Sequence, residues 1–144
     1  MNKKILGATK VTLDNISFKS KIESRVYAIL KSEGFTPKYE SMKFTLWKGF
    51  KPTIPFYTRY KGKNKLINKK LIDITYTPDF TFYYNNKLII IEVKGKENDV
   101  FPYKFKMFRG ILENPPYKDS TLLFEIFTLG QLKECINIIK NEIT

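Results

Sequence analysis

The chain has 144 residues and a mass of 17.0 kDa, which is one domain's worth of sequence and enough to bury a core. It holds no histidine and one cysteine, Cys135, which excludes Ser-His-Asp and Cys-His nucleophile systems, His-ligated zinc, Cys-rich zinc sites and an intramolecular disulfide. Against 14 acidic side chains stand 26 Lys and Arg, a net charge of +12 with a pI near 9.7, the footprint expected of a protein whose partner carries phosphates.

That charge has a plainer source as well. Apart from Arg25, Arg59 and Arg109 the cations are all Lys, and the chain is rich in Asn, Ile, Phe and Tyr, as an A·T-rich coding sequence would make it. Met1-Asn2-Lys3-Lys4 begins like a signal peptide, but the apolar stretch stops after Ile5-Leu6. With a mean hydropathy of −0.32 and no run of spanning length, the expectation is a soluble cytoplasmic protein without membrane association.

No linker or repeat divides the sequence, so residues 1–144 read as one domain. After a basic lead, Ile22, Val26, Ile29 and Leu30 recur at helical spacing within Ser20–Ser32, and Gly34 is placed to end that helix. Lys38–Trp47 reads as a strand. Phe56–Tyr60 and Leu71–Tyr76 read as a strand pair joined by a long charged connection, residues 61–70, which is either a DNA-contacting arm or a basic loop. Trp47, Phe50 and Phe56 suit core packing better than base stacking.

Asp79–Tyr84 and Lys87–Lys94 are the clearest strands, joined by Asn85-Asn86, residue types that tolerate a positive φ at a tight turn. Leu88-Ile89-Ile90-Ile91 is apolar at every position, as in a strand covered on both faces. Pro102 suits the first turn of a helix to about Leu112, which Asn114-Pro115-Pro116 stops. Thr121–Phe127 is another strand. Thr128-Leu129-Gly130-Gln131 is a capping box opening a last helix with Leu132, Ile136, Ile139 and Ile143 on one face and Cys135 on its apolar side. The order predicts an α/β fold, a central mixed sheet flanked by helices.

The hairpin turn fixes a register. If Tyr84 faces Lys87 and Phe82 faces Ile89, then Asp79 faces Glu92, with Cβ atoms about 5 Å apart, an arrangement that costs stability unless something neutralises it. Lys94 shares the face of Glu92 because side chains alternate along a strand. Two carboxylates and an ammonium converging on one spot suit a hard divalent cation, typically Mg²⁺, and a lysine that orients water or meets charge on a phosphate.

Pro78-Asp79 followed by Glu92-Val93-Lys94 resembles the PD-(D/E)XK nuclease superfamily, and Phe18-Lys19-Ser20-Lys21-Ile22-Glu23 resembles the F-x-S-x-x-E element that opens the first helix in many of its phage and bacterial members. Gly34 and Glu40 follow at familiar positions. The resemblance covers roughly Phe18 to Leu112. It implies a restriction-endonuclease-like core, metal binding by Asp79, Glu92, the backbone of Val93 and Glu23, and a water-positioning role for Lys94. Glu23 has a second reading, since Ser20-Lys21-Ile22-Glu23 is itself a capping box. The resemblance further implies Mg²⁺, with Mn²⁺ as a substitute, and a homodimer acting on branched DNA in the manner of phage or archaeal Holliday junction resolvases in DNA recombination. DNA contacts are expected from Lys104, Lys106, Arg59, Lys61, Lys63 and Lys65. The alternatives are a restriction- or transposase-like nuclease on duplex DNA, and a non-catalytic DNA-binding module.

Overall fold

The computed structural model describes residues 9–95 and 98–142. Its chain opens with a hairpin of β1 (Val11–Leu13) and β2 (Ile16–Phe18). Asp14 and Asn15 close it at φ 52° and 62°, the left-handed pair that a two-residue hairpin needs. Helix α1 (Lys21–Ser32) starts at Ser20, whose side chain accepts the Glu23 N–H. It ends at Gly34, φ 90°, where the Gly34 N–H donates to Lys31 O at 3.0 Å and the Phe35 N–H to Leu30 O at 3.1 Å. That is a Schellman closure, which only a residue at ease in the left-handed region completes without strain.

Five short strands follow: β3 (Lys38–Tyr39), β4 (Phe44–Trp47), β5 (Phe56–Tyr60), β6 (Lys63–Ile67) and β7 (Ile74–Tyr76). The long hairpin β8 (Phe80–Tyr84) and β9 (Lys87–Val93) leads to α2 (Phe101–Leu112), β10 (Thr121–Ile126) and α3 (Leu129–Glu142). The main sheet runs β10-β9-β8-β3, with β10 parallel to β9 and the remaining pairs antiparallel, so it is mixed. The hairpin has the anticipated register, Phe80 opposite Ile91 through Tyr84 opposite Lys87, around Asn85 and Asn86 at φ 46° and 66°.

Strand β9 is central, and its two faces belong to two cores. Ile89, Ile91 and Val93 pack with Phe80 and Phe82 against Val26 and Leu30 of α1 and Leu132, Ile136 and Ile139 of α3. Leu88 and Ile90 pack on the other side against Phe108 of α2, Phe44 of β4 and Tyr76 of β7. Each fully buried aliphatic or Phe side chain contributes about 1.5–3 kcal/mol. The α3 capping box forms as expected: Gln131 Oε1 accepts the Phe127 and Thr128 N–H groups at 2.6 and 3.1 Å, and the Gln131 N–H donates to Thr128 Oγ1 at 3.1 Å. Cys135 is buried on that helix, and Ile143 lies outside the described residues.

Four expectations need correction. The basic lead contains the β1–β2 hairpin. Lys38–Trp47 is two strands, because Glu40 at φ 48° turns the chain and sends β3 to β8 but β4 to β7. Phe56–Tyr60 does not pair with Leu71–Tyr76: it pairs with β6, which lies within the expected connection of residues 61–70, around Lys61-Gly62 at φ 49° and 76°. Trp47, Phe50 and Phe56 are 38, 52 and 60% exposed rather than core residues.

The segments leading to and from β5–β6 lie side by side and prolong the β4–β7 pair into a ribbon. Gly49 N–H donates to Asp73 Oδ1 at 2.8 Å, Leu71 N–H to Phe50 O at 2.9 Å, and Lys51 Nζ to Asn68 O at 2.6 Å. The legs approach so closely at Gly49 that a Cβ there would lie 1.9 Å from the Leu71 carbonyl oxygen. Among the described residues, no helix is long and apolar enough to cross a membrane.

Candidate active site

The sheet's architecture carries acidic side chains to one end of β8 and β9. Asp79 immediately precedes β8, and continuing the hairpin register by one pair sets it opposite Glu92. Two hydrogen bonds tie the pair: the Asp79 N–H donates to Glu92 Oε2 at 3.2 Å, and the Val93 N–H donates to Asp79 Oδ2 at 2.8 Å. The alternation along β9 turns Val93 into the core shared with α1 and α3, whereas Glu92 and Lys94 take the opposite face, toward α2 and β7.

Helix α1 supplies Glu23 from its first turn, buried at 9% exposure. Its Oε1 accepts the Ser20 hydroxyl at 2.8 Å and its Oε2 accepts the Tyr39 hydroxyl. Ser20 caps the helix through the Glu23 N–H, while the Glu23 side chain accepts from two hydroxyls and lies near the acids of the sheet. Oxygen atoms of Glu23, Glu40 and Asp79 lie within 4.8 Å of one another. Glu40 thus joins Glu23 and Asp79, whereas Glu92 is not part of this triple and is tied to Asp79 through the Asp79 N–H. Glu40 is held there by its own N–H, which donates to Asp79 O at 2.8 Å, and by Lys19 Nζ at 2.7 Å from Oε1.

Electrostatics follow from the crowding. Burial, then the charges of Glu92 and Glu23, push the Asp79 carboxyl well above the ordinary carboxylate range. Burial also raises Glu92, opposed by Tyr76, the Asp79 N–H and the Lys94 ammonium. Glu40 beside Lys19 holds that ammonium above its usual value. Burial and the bond to Glu23 raise the Tyr39 phenol, and burial beside Glu92 raises that of Tyr76. Lys94 is 7% exposed and lies over the Phe101 ring.

The Tyr76 hydroxyl lies buried beside Glu92 and interacts with its carboxylate.

Glu40, Tyr39 and Tyr76 were not singled out as site residues from the sequence. Glu125 is a fourth omission: it is paired with Glu92 across the parallel β9–β10 ladder and so stands on the same face. Lys106 and Arg109 of α2 line an open cleft of ≈ 500 Å³ that Glu125 also borders. Lys104 is half-buried on the same helix. Arg59, Lys61, Lys63 and Lys65 are exposed on the β5–β6 ribbon, with Lys65 Nζ 4.3 Å and Lys61 Nζ 5.5 Å from the Tyr60 ring centre.

No curated protein and no solved structure matches the chain. A family model spans residues 3–129, from the N-terminal segment through β10 and every residue of the acidic cluster, and the chain belongs to that family, described as protein of unknown function (DUF1064).

Proposed function

We propose that the chain is a metal-dependent endodeoxyribonuclease of the PD-(D/E)XK kind, with a restriction-endonuclease-like core, hydrolysing phosphodiester bonds in branched DNA as a homodimer. The observation that carries this reading is the convergence of Asp79, Glu92 and the buried Lys94 on one face of β8–β9. Acidic side chains held this close fit a hard cation, which takes oxygen ligands and relieves like-charge repulsion. Asp79, Glu92, the Val93 backbone and Glu23 would hold Mg²⁺ or Mn²⁺, with Glu40 at the same cluster.

A cation there supplies Lewis acidity toward a phosphate oxygen and lowers the pKa of water. The rest falls to the chain's own groups. Lys94, fixed by burial, orients the attacking water and meets the charge that grows on the phosphate. Ser20 and Tyr39 aim the Glu23 carboxylate, and the Val93 N–H fixes one oxygen of Asp79. Lys106 and Arg109 on α2 offer positive charge to the phosphates flanking the scissile one.

The test is cleavage of an end-labelled four-way junction and a linear duplex of the same sequence in Mg²⁺, with Asp79→Asn and Lys94→Met alongside. Junction cleavage lost in both variants is the expected result. Preference for the linear duplex would replace the branched substrate by an ordinary one, and unchanged cleavage in both variants would remove the site. Sedimentation of the protein with and without junction reads the homodimer.

A further inference from the structure

We propose that the β5–β6 ribbon is a stacking arm that binds unpaired bases of a DNA strand. It deepens the function proposed above, resting on that reading for the kind of polyanion bound. The first observation is charge. Between Ser41 and Ile72 the chain carries nine Lys and Arg and no carboxylate. Those residues hold β4, β5, β6 and the two legs of the ribbon, and β7, which follows them, ends three residues before Asp79.

The second observation is exposure. Among the described residues neither face of the β5–β6 pair has a core to cover it, and all but two of its strand residues are exposed. Tyr57 is 61% exposed, Phe56 60%, and Tyr60 52%, with Phe50 at 52% further down the leg. Alternation puts Phe56 and Tyr60 on one face with Lys63 and Lys65, and Tyr57 on the other with Arg59. A two-stranded hairpin without a covered face is marginal by itself, so rings left in water on such an element await a partner.

Charge selects that partner. A second copy of the ribbon would bring like charge against like charge, whereas a phosphate backbone neutralises the cations and releases counterions. Aromatic rings interleaved with cations then favour an unpaired strand, because its bases can stack on the rings while the phosphates meet the lysines, and duplex bases are already stacked. Near a branch point, the unpaired nucleotides would be gripped by the ribbon while the adjoining phosphodiester reaches the cluster at Asp79.

The experiment is fluorescence anisotropy with labelled oligo(dT) and with a duplex of equal length, in EDTA so that no cleavage occurs. Phe56→Ser/Tyr57→Ser is expected to weaken oligo(dT) binding by roughly 10-fold or more, with duplex binding changed far less. Lys63→Gln/Lys65→Gln is expected to lower the slope of log K against log salt by about 0.7 per lysine on the single strand. Thermal melting of both variants reads the fold. Oligo(dT) binding unchanged in the aromatic variant would overturn the proposal, as would equal losses on both DNAs or a dimer that becomes monomeric with DNA affinity intact. Wild-type protein that grips oligo(dT) through the ribbon yet cleaves nothing in Mg²⁺ leaves the arm standing and removes the nuclease. Cleavage without ribbon-dependent binding does the reverse.

Discussion

Replacing Asp79 by Asn should stabilise the metal-free protein, and increasingly so as the pH rises. Asn keeps the acceptor for the Val93 N–H, which Asp79 Oδ2 receives at 2.8 Å, and removes one charge from the cluster. With oxygens within 4.8 Å and an effective dielectric of about 20, one pair of ionised carboxylates repels by ~3 kcal/mol. Lys19 on Glu40 and Lys94 near Glu92 offset part of this, and solvent at the partly exposed Asp79 screens more, so the gain is about 1–3 kcal/mol. For a chain of this length that is a rise in Tm of roughly 4–10 °C. The sign follows from linkage. The folded-state pKa of Asp79 lies above the ordinary 3.8, so the folded wild type binds more protons than the unfolded chain and loses stability as pH rises from about 4 through the raised value. The variant lacks that loss. Thermal melts in EDTA from pH 4 to pH 8 should therefore show a difference that is small at the acid end, grows with pH and then levels off. Millimolar Mg²⁺ should raise the wild-type Tm and leave the variant nearly unmoved. A variant that melts below wild type at pH 8 without metal, or a difference independent of pH, would refute the account of the cluster as repulsive.

Lys94→Met preserves the length and apolar stem of the buried side chain and should lower single-turnover cleavage by roughly 100-fold, with junction affinity in Ca²⁺ within about 3-fold of wild type; an equal fall in affinity would make Lys94 a binding group. Gly49→Ala places a Cβ where the Leu71 carbonyl lies 1.9 Å away, so the ribbon legs must part at a cost of about 1–3 kcal/mol. Hydrogen exchange should show faster amides at Phe50, Leu71 and β5–β6 with the main sheet unaffected, and unchanged protection in the ribbon would contradict the close approach. Burial pushes the Cys135 thiol up to about 12, so a thiol reagent at pH 8 should label it only on unfolding, and rapid stoichiometric labelling of native protein would show the α3 packing to be wrong.

Local chemistry sets much of this fold. Asn85-Asn86 dictates a left-handed two-residue turn, the turn dictates the register, and the register puts Asp79 opposite Glu92 without any distant contact. Gly34, Pro102 and the Thr128–Gln131 box mark helix ends in the same local way. The ribbon is hard to read from sequence for a physical reason: β5–β6 has exposed residues on both faces, so it carries no apolar alternation, and Phe56, like Trp47 and Phe50 before it, reads as a core residue because composition cannot tell a ring that packs from one that waits. Glu40 and Glu125 belong to the site through long-range geometry. One depends on a positive φ at the exit of β3, the other on a parallel ladder that forms only after α2 has carried the chain back across the sheet. The sequence by itself determined the acid pair and the lysine on its face, because a hairpin is a local object. Tertiary structure decided which further carboxylates join them and where the surplus cations stand, because those positions depend on segments far apart in the chain coming together.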